Sequence, residues 1–209
     1  MVRVLTIADG HGTLHREDFL YALKGDKPDL IFFLGDNFNF DLDVAMDYID
    51  KHDMGYIPKY GIVGNHEYKK ILDQYPIQNI HLQTVSFPVN PQRAIIIGGF
   101  SGSIKYKDEG DDYALFTNDQ SVSLLNNFAK TDLFICHSNP CFKKPKHIDA
   151  HSGLLGIGKY IEKNTPVMTI HGHEHIRKTD YKRIRRGLFF NKLCCIRSCY
   201  KVECFYIDI

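Results

Sequence analysis

The sequence predicts an α/β protein built on more than one sheet, and three observations carry this. Short continuous apolar runs recur, clearest in Leu30-Ile31-Phe32-Phe33-Leu34, which lies between Lys27-Pro28-Asp29 and Gly35. Runs of that length read as strands buried on both faces. Between them stand segments with apolar residues three and four apart, such as Leu42, Ala45, Met46 and Ile49, which is the period of an amphipathic helix. The tail changes character: residues 187–209 read as strands, with alternation through Lys201-Val202-Glu203-Cys204-Phe205-Tyr206-Ile207. Alternating strands and helices argue for an α/β class, and the strand-rich middle and tail argue for a second sheet.

In chain order, residues 2–8 form the first strand and 17–24 a short helix. Residues 30–34 are the second strand and 42–51 the second helix. A third strand spans 57–63, with Pro58 at its start, and a fourth spans 94–97, ended by Gly98-Gly99. Residues 100–118, rich in Gly, Lys, Asp and Tyr, are the longest loop and a candidate rim or lid. Residues 120–130 place Val122, Leu125 and Phe128 three apart, as a helix does. Two more buried strands follow at 132–136 and 167–170, with a helix at 156–163 between them. No internal repeat, low-complexity stretch or linker is evident, so one domain over residues 1–209 is the simplest reading.

Composition excludes several classes. The chain is 44% apolar and 24% charged with a net charge of +1, so no global field draws it to nucleic acid or an acidic membrane. No apolar run approaches the roughly 18 residues of a membrane span. No charged leader with an apolar core precedes the first strand, so a cytoplasmic location without a membrane partner is expected. The six cysteines (Cys136, Cys141, Cys194, Cys195, Cys199 and Cys204) contain no Cys-x-x-Cys pair and read as reduced thiols. Eleven histidines is a high number for this length.

The ends of the strands account for many of them. The first strand is followed by Asp9-Gly10-His11, the second by Gly35-Asp36, the third by Gly64-Asn65-His66-Glu67. The strand at 132–136 is followed by His137, and that at 167–170 by His171-Gly172-His173-Glu174-His175. Ligand sites of open α/β sheets lie beyond the carboxyl ends of the strands, so these residues are expected to converge on one rim. Asp, Asn and His offer hard oxygen and imidazole donors, suited to manganese first, and also to iron, zinc or magnesium. Two carboxylates, one Asn and four neutral imidazoles around two divalent ions leave a site about two charges positive, which attracts a phosphate. Two such ions can activate a shared hydroxide for in-line attack on phosphorus.

At these positions the sequence resembles the calcineurin-like metallophosphoesterase superfamily, whose pattern is D-x-H, G-D-x-x-D, G-N-H-E/D, a lone His and G-H-x-H. Here the pieces are Asp9-Gly10-His11, Gly35-Asp36-Asn37-Phe38-Asn39, Gly64-Asn65-His66-Glu67, His137 and Gly172-His173-Glu174-His175, in the same order. The resemblance implies a four-layer αββα sandwich of two mixed sheets flanked by helices. It implies that Asp9, His11 and His175 hold one metal, that Asn65, His137 and His173 hold a second, and that Asp36 bridges both. It makes His66 a catalytic residue that contacts the phosphate and helps the leaving group depart. The other catalytic position, Asn39, stands where the family has Asp; it is expected to hydrogen-bond His66, stabilising an imidazolium less than a carboxylate would. The Asp-Arg-Gly continuation of protein Ser/Thr phosphatases is absent, which argues against a phosphoprotein substrate. The expected partner is a phosphorylated small molecule or nucleotide, with phosphodiesters preferred.

Other residues carry plainer readings. Glu67 is expected to orient the loop rather than bind metal, Glu174 to face away, and His171 to pack in its strand. His147, Asp149 and His151 form a loop string that either caps itself, orients His137 or lines the pocket. Residues 177–186 hold six Lys and Arg; a solvated hairpin is the default, and a nuclease using this segment on nucleic acid is the sharper alternative. A metal-binding interaction module without turnover is the reading from another class.

Overall fold

In a computed structural model, residues 1–108, 110–174, 180–186, 189–195 and 201–208 are described, with 180–186 and 189–195 as backbone alone. Among them the strands are β1 (Val2–Ile7), β2 (Leu30–Phe33), β3 (Lys59–Gly61), β4 (Gln78–Asn79), β5 (Thr84–Asn90), β6 (Arg93–Phe100), β7 (Ser103–Ile104), β8 (Leu115–Phe116), β9 (Leu133–Cys136), β10 (Met168–His171), β11 (Asp180–Arg186), β12 (Phe189–Cys195) and β13 (Val202–Ile207). The helices are α1 (Arg16–Leu23), α2 (Asn39–Lys51), α3 (Asn118–Asn126) and α4 (Leu155–Asn164).

The strands form two large mixed sheets and a small pair. One sheet has the order β13-β1-β2-β3-β4, with β13 antiparallel to β1 and the others parallel. The other has the order β11-β12-β10-β9-β6-β5, parallel at its centre and antiparallel at both edges. β7 pairs with β8 alone.

Side-chain alternation along the strands decides the layering. Leu5 and Ile7 of β1 and Ile31 and Phe33 of β2 bury against Phe19 of α1 and Leu42 and Ile49 of α2. Their neighbours Val4, Leu30 and Phe32 face the other way, onto Ile97, Leu133, Ile135 and Ile170 of the second sheet. On that sheet's far face, Phe100, Phe134 and Cys136 pack on Leu125, Ile157 and Tyr160 of α3 and α4. Three apolar cores therefore separate four layers, the αββα sandwich that the resemblance implies. In each large sheet the central parallel strands end on one side, so the loops after β1, β2, β3, β9 and β10 share a rim. No described helix is long and apolar enough to cross a membrane.

Several expectations shift. β6 does not stop at Gly98-Gly99 but runs through them to Phe100. A Cβ at Gly98 would lie 2.6 Å from the Thr131 side chain, and one at Gly99 2.8 Å from Ile62. These glycines serve close packing rather than a turn. The loop at 100–118 contains β7 and β8. Residues 180–186 of the basic segment form a hairpin arm paired with β12; Arg177, Lys178 and Thr179 lie outside the described residues.

Candidate metal centre

Backbone hydrogen bonds lock the rim loops together. Asp9 N donates to Gly35 O at 3.0 Å and His11 N to Asp36 O at 3.0 Å, joining the loops after β1 and β2. The Glu67 carboxylate accepts from the backbone N–H of Asp36 (3.0 Å), Asn37 (2.7 Å) and Gly64 (2.6 Å), joining the loops after β2 and β3. His173 N donates to the Asp9 carboxylate at 3.0 Å, drawing in the loop after β10. Two of these chains touch only because both carry glycine: a Cβ at Gly35 would meet Gly64 N at 2.4 Å, and one at Gly64 would meet Asp36 Oδ1 at 2.0 Å.

Four expected ligands take left-handed backbone conformations: Asp9 (φ 54°), His11 (49°), Asp36 (54°) and His173 (70°). Such positions cost on the order of 1–3 kcal/mol each for a residue with a side chain, and that strain concentrates at functional sites. Glycine would fit without strain, so Asp and His side chains at these positions point to a chemical use.

Those side chains gather in two overlapping groups. Ligand atoms of Asp9, His11 and Asp36 lie within 4.8 Å of one another, and so do those of Asp36, His137 and His173. Asp36 belongs to both. His137 Nε2 is 3.1 Å from Asn65 Oδ1, 3.1 Å from His173 Nδ1 and 3.3 Å from Asp36 Oδ2. The ring orientations are set from behind: His137 Nδ1 donates to Leu34 O at 2.8 Å, and His173 Nε2 donates to Ala150 O at 2.5 Å. That leaves His137 Nε2 and His173 Nδ1 facing one another with their lone pairs. Atoms about 2.1 Å from a common ion, at tetrahedral or octahedral angles, stand about 3.0–3.4 Å apart, which matches this spacing. Asp36 Oδ2 and Asn65 Nδ2 are buried without a hydrogen-bond partner. The donor set thus fits hard divalent ions, and Asp36 Oδ2 is a buried acceptor that such an ion would satisfy.

The electrostatics have the same character. Burial would push the Asp36 carboxyl up, but His137 beside it, the His66 backbone N–H and His11 hold it well below the usual carboxylate range. His137 is pulled down by burial yet raised to about 9, chiefly by Asp36 and then Asp9. A metal would take the lone pair that takes this proton, so binding releases it. Burial lowers His173 to about 3, helped by the charge on His137. Asp9 is raised to about 6, first by burial, with Asp36 adding to it and His137 opposing.

The remaining predicted residues distribute unevenly. His66 is exposed, its ring centroid 5.6 Å from that of His11, and its backbone N–H donates to Asp36 Oδ1 at 2.9 Å. Asn39 is not its hydrogen-bond partner. As the first residue of α2 it is exposed, and its amide points to Gln74 Oε1 and Tyr75 OH, both at 3.5 Å. The helix start turns it away from the rim, which corrects the expectation that it steadies His66. Asp149 caps its own loop, accepting from His151 N and Ser152 Oγ. That loop reaches His173 rather than His137, through the Ala150 carbonyl and a ring contact of His151 at 4.9 Å. Glu67 orients the loops, as expected. Glu174 accepts from Asn139 Nδ2 at 3.1 Å, and His171 is buried and donates to Gly172 O. His175 lies outside the described residues.

Sequence reasoning misses Asp41. Its fully buried carboxylate accepts from the N–H groups of Gly12 (2.7 Å), Leu14 (2.9 Å) and Phe38 (2.9 Å), holding the His11 loop against the start of α2. The available signal is an acid in the first turn of a helix, three residues after the cap; starting that helix at Leu42 hides it.

An αββα sandwich with hard metal donors on one rim defines a metal-dependent hydrolase. The model of the calcineurin-like phosphoesterase family matches residues 2–177, and the chain belongs to that family. It is a metal-dependent phosphoesterase. Among solved structures it is similar to the protein TT1561 of Thermus thermophilus, at 14% identity and a TM-score of 0.57, over 99% of both chains. It is also similar to the phosphopantetheinyl hydrolase of Mycobacterium tuberculosis, at 11% identity and a TM-score of 0.59, over 98% of this chain and 96% of that one. At such identities the likeness is one of fold. A search of curated proteins finds no match.

Proposed function

We propose that the protein hydrolyses phosphate esters, with diesters preferred, using two divalent ions. One is held by Asp9, His11 and Asp36, with His175 completing the set. The other is held by Asp36, Asn65, His137 and His173. The observation that carries this reading is the place of the single Asp36 carboxylate in both three-residue groups. Bound there, the ions supply Lewis-acid polarisation of a phosphoryl oxygen and lower the pKa of an attacking water. The chain's own residues do the rest. Asp36 stays ionised because His137 and His11 surround it. Leu34 O and Ala150 O fix the two rings that face each other. His66, exposed beside His11, is free to meet the leaving oxygen and give it a proton. The hard donor set makes manganese the first ion to test.

The test combines metal content with turnover. The protein is stripped, reloaded with Mn²⁺ and assayed on a bis-aryl phosphate, an aryl monophosphate and a cyclic nucleotide. Two ions per chain and faster cleavage of the diesters are expected. An Asp36→Asn protein that keeps two ions and the full rate overturns the proposal, and a monoester-only profile reverses the diester preference.

A further inference from the structure

The rim continues past His66 into a feature the catalytic reading leaves unused. Along His66-Glu67-Tyr68 burial alternates: His66 is exposed, Glu67 is buried at 3% and Tyr68 is 61% exposed. Glu67 faces inward to its three backbone donors, so His66 and Tyr68 both face outward. Tyr68 forms an antiparallel bridge with Tyr113 of the 100–118 segment, and their rings lie 5.2 Å apart, tilted by 33°. The segment is anchored to the catalytic loop's own base. Gly102 N donates to Val63 O at 2.8 Å and Lys69 N to Asp112 O at 3.0 Å, while Ser103 N donates to Ala114 O at 3.0 Å and closes the segment on itself. A cleft of about 460 Å³ opens here, lined by Tyr68, Lys69, Lys70, Asp111 and Asp112, a size that suits a small organic group.

Charge does not select the occupant. Among the described lining residues two lysines and two aspartates cancel, and Lys69 Nζ is already donating to Asp111 O. That disfavours a second phosphate and leaves the aromatic faces as the distinguishing surface. Planar π-systems stack on exposed tyrosine with little conformational cost.

We propose that the Tyr68–Tyr113 pair is the platform for a planar aromatic group on the leaving side of the substrate, such as an aryl ring or a nucleobase. This rests on the proposed role of His66 at the leaving oxygen: Tyr68 stands two residues along the same loop, exposed as His66 is, so the group attached to that oxygen comes within its reach. The 100–118 segment then acts as a specificity rim.

The experiment compares benzyl with cyclohexylmethyl esters of phosphate, as monoesters and as methyl diesters, so that leaving-group basicity is matched and only planarity differs. The wild-type protein is expected to favour the benzyl ester by about tenfold in kcat/KM, mainly through KM. Tyr68→Ala should abolish that preference and Tyr68→Phe should retain it. Equal rates for the two esters in the wild type, or a preference that survives Tyr68→Ala, overturn the proposal. If the wild type cleaves neither ester, the functional reading fails, and the platform is then judged by binding alone. Benzyl phosphate should shift tyrosine ring resonances in the wild type and not in Tyr68→Ala, and no difference between them overturns the platform.

Discussion

Acidification should destabilise this fold through His81, a residue outside the metal centre. His81 sits between the Phe100 and Phe116 rings, at centroid distances of 5.2 and 5.8 Å. Its Nδ1 accepts the Ser101 N–H at 2.9 Å, so the neutral tautomer is the one the structure uses. Burial, and secondarily the positive Lys69, lower its pKa from 6.5 to about 4. The folded value lies below the unfolded one, so the unfolded chain binds the proton first. The stabilisation is complete above pH 6.5 and is lost as pH falls towards 4. Linkage gives a loss on the order of 1 kcal/mol at pH 5.5, growing to roughly 2–3 kcal/mol at pH 4.5. Urea unfolding of metal-free protein at pH 7.5, 5.5 and 4.5 measures it, with His81→Gln as the comparison. Glutamine offers an acceptor for Ser101 but does not titrate. Other buried histidines shift both proteins alike, so the wild type should lose the stated amounts relative to the variant. Parallel curves, differing by less than about 0.5 kcal/mol across this range, refute the reasoning. Because Ser101 Oγ also accepts Val63 N at 3.1 Å, the loss should begin beside the catalytic loop.

Three further perturbations follow from the rim. Gly64→Ala places a Cβ 2.0 Å from Asp36 Oδ1 and 2.5 Å from Asp36 N; the shared carboxylate must move, and metal analysis should show loss of bound ions with a soluble, folded chain. Glu67→Ala leaves three buried N–H groups without their acceptor, costing at least about 3 kcal/mol in urea unfolding; a cost below about 1 kcal/mol would mean that the loops are held otherwise. His66→Ala should keep its metal and lose about 10²–10⁴-fold in rate, and loss of metal instead would make His66 a ligand.

Much of the fold is legible because burial leaves periodic marks. β2 and β9 read as strands from unbroken apolar runs, and α2 from its stripe of Leu42, Ala45 and Ile49. β5 goes unread because it is an edge strand, half exposed and carrying Pro88. An edge tolerates a missing N–H and needs only one apolar face, so no continuous run announces it. Asn39 shows the limit at the site. Its place in the motif predicts a contact with His66, but the first turn of α2 aims it at Tyr75. The loop at 147–151 is readable as polar, yet its engagement with His173 is not.

The sequence by itself determined which donors exist, that each follows a buried strand, and in what order they occur. Those are properties of residue type and local periodicity. Only the tertiary structure decided that Asp36 stands in both ligand groups, that the carbonyls of Leu34 and Ala150 orient His137 and His173, and that Tyr113 is brought against Tyr68. Those pairings depend on strand order and on loops closing across long stretches of chain, 103 residues between His137 and Leu34 and 164 between His173 and Asp9, and such distances leave no local signature in the chain.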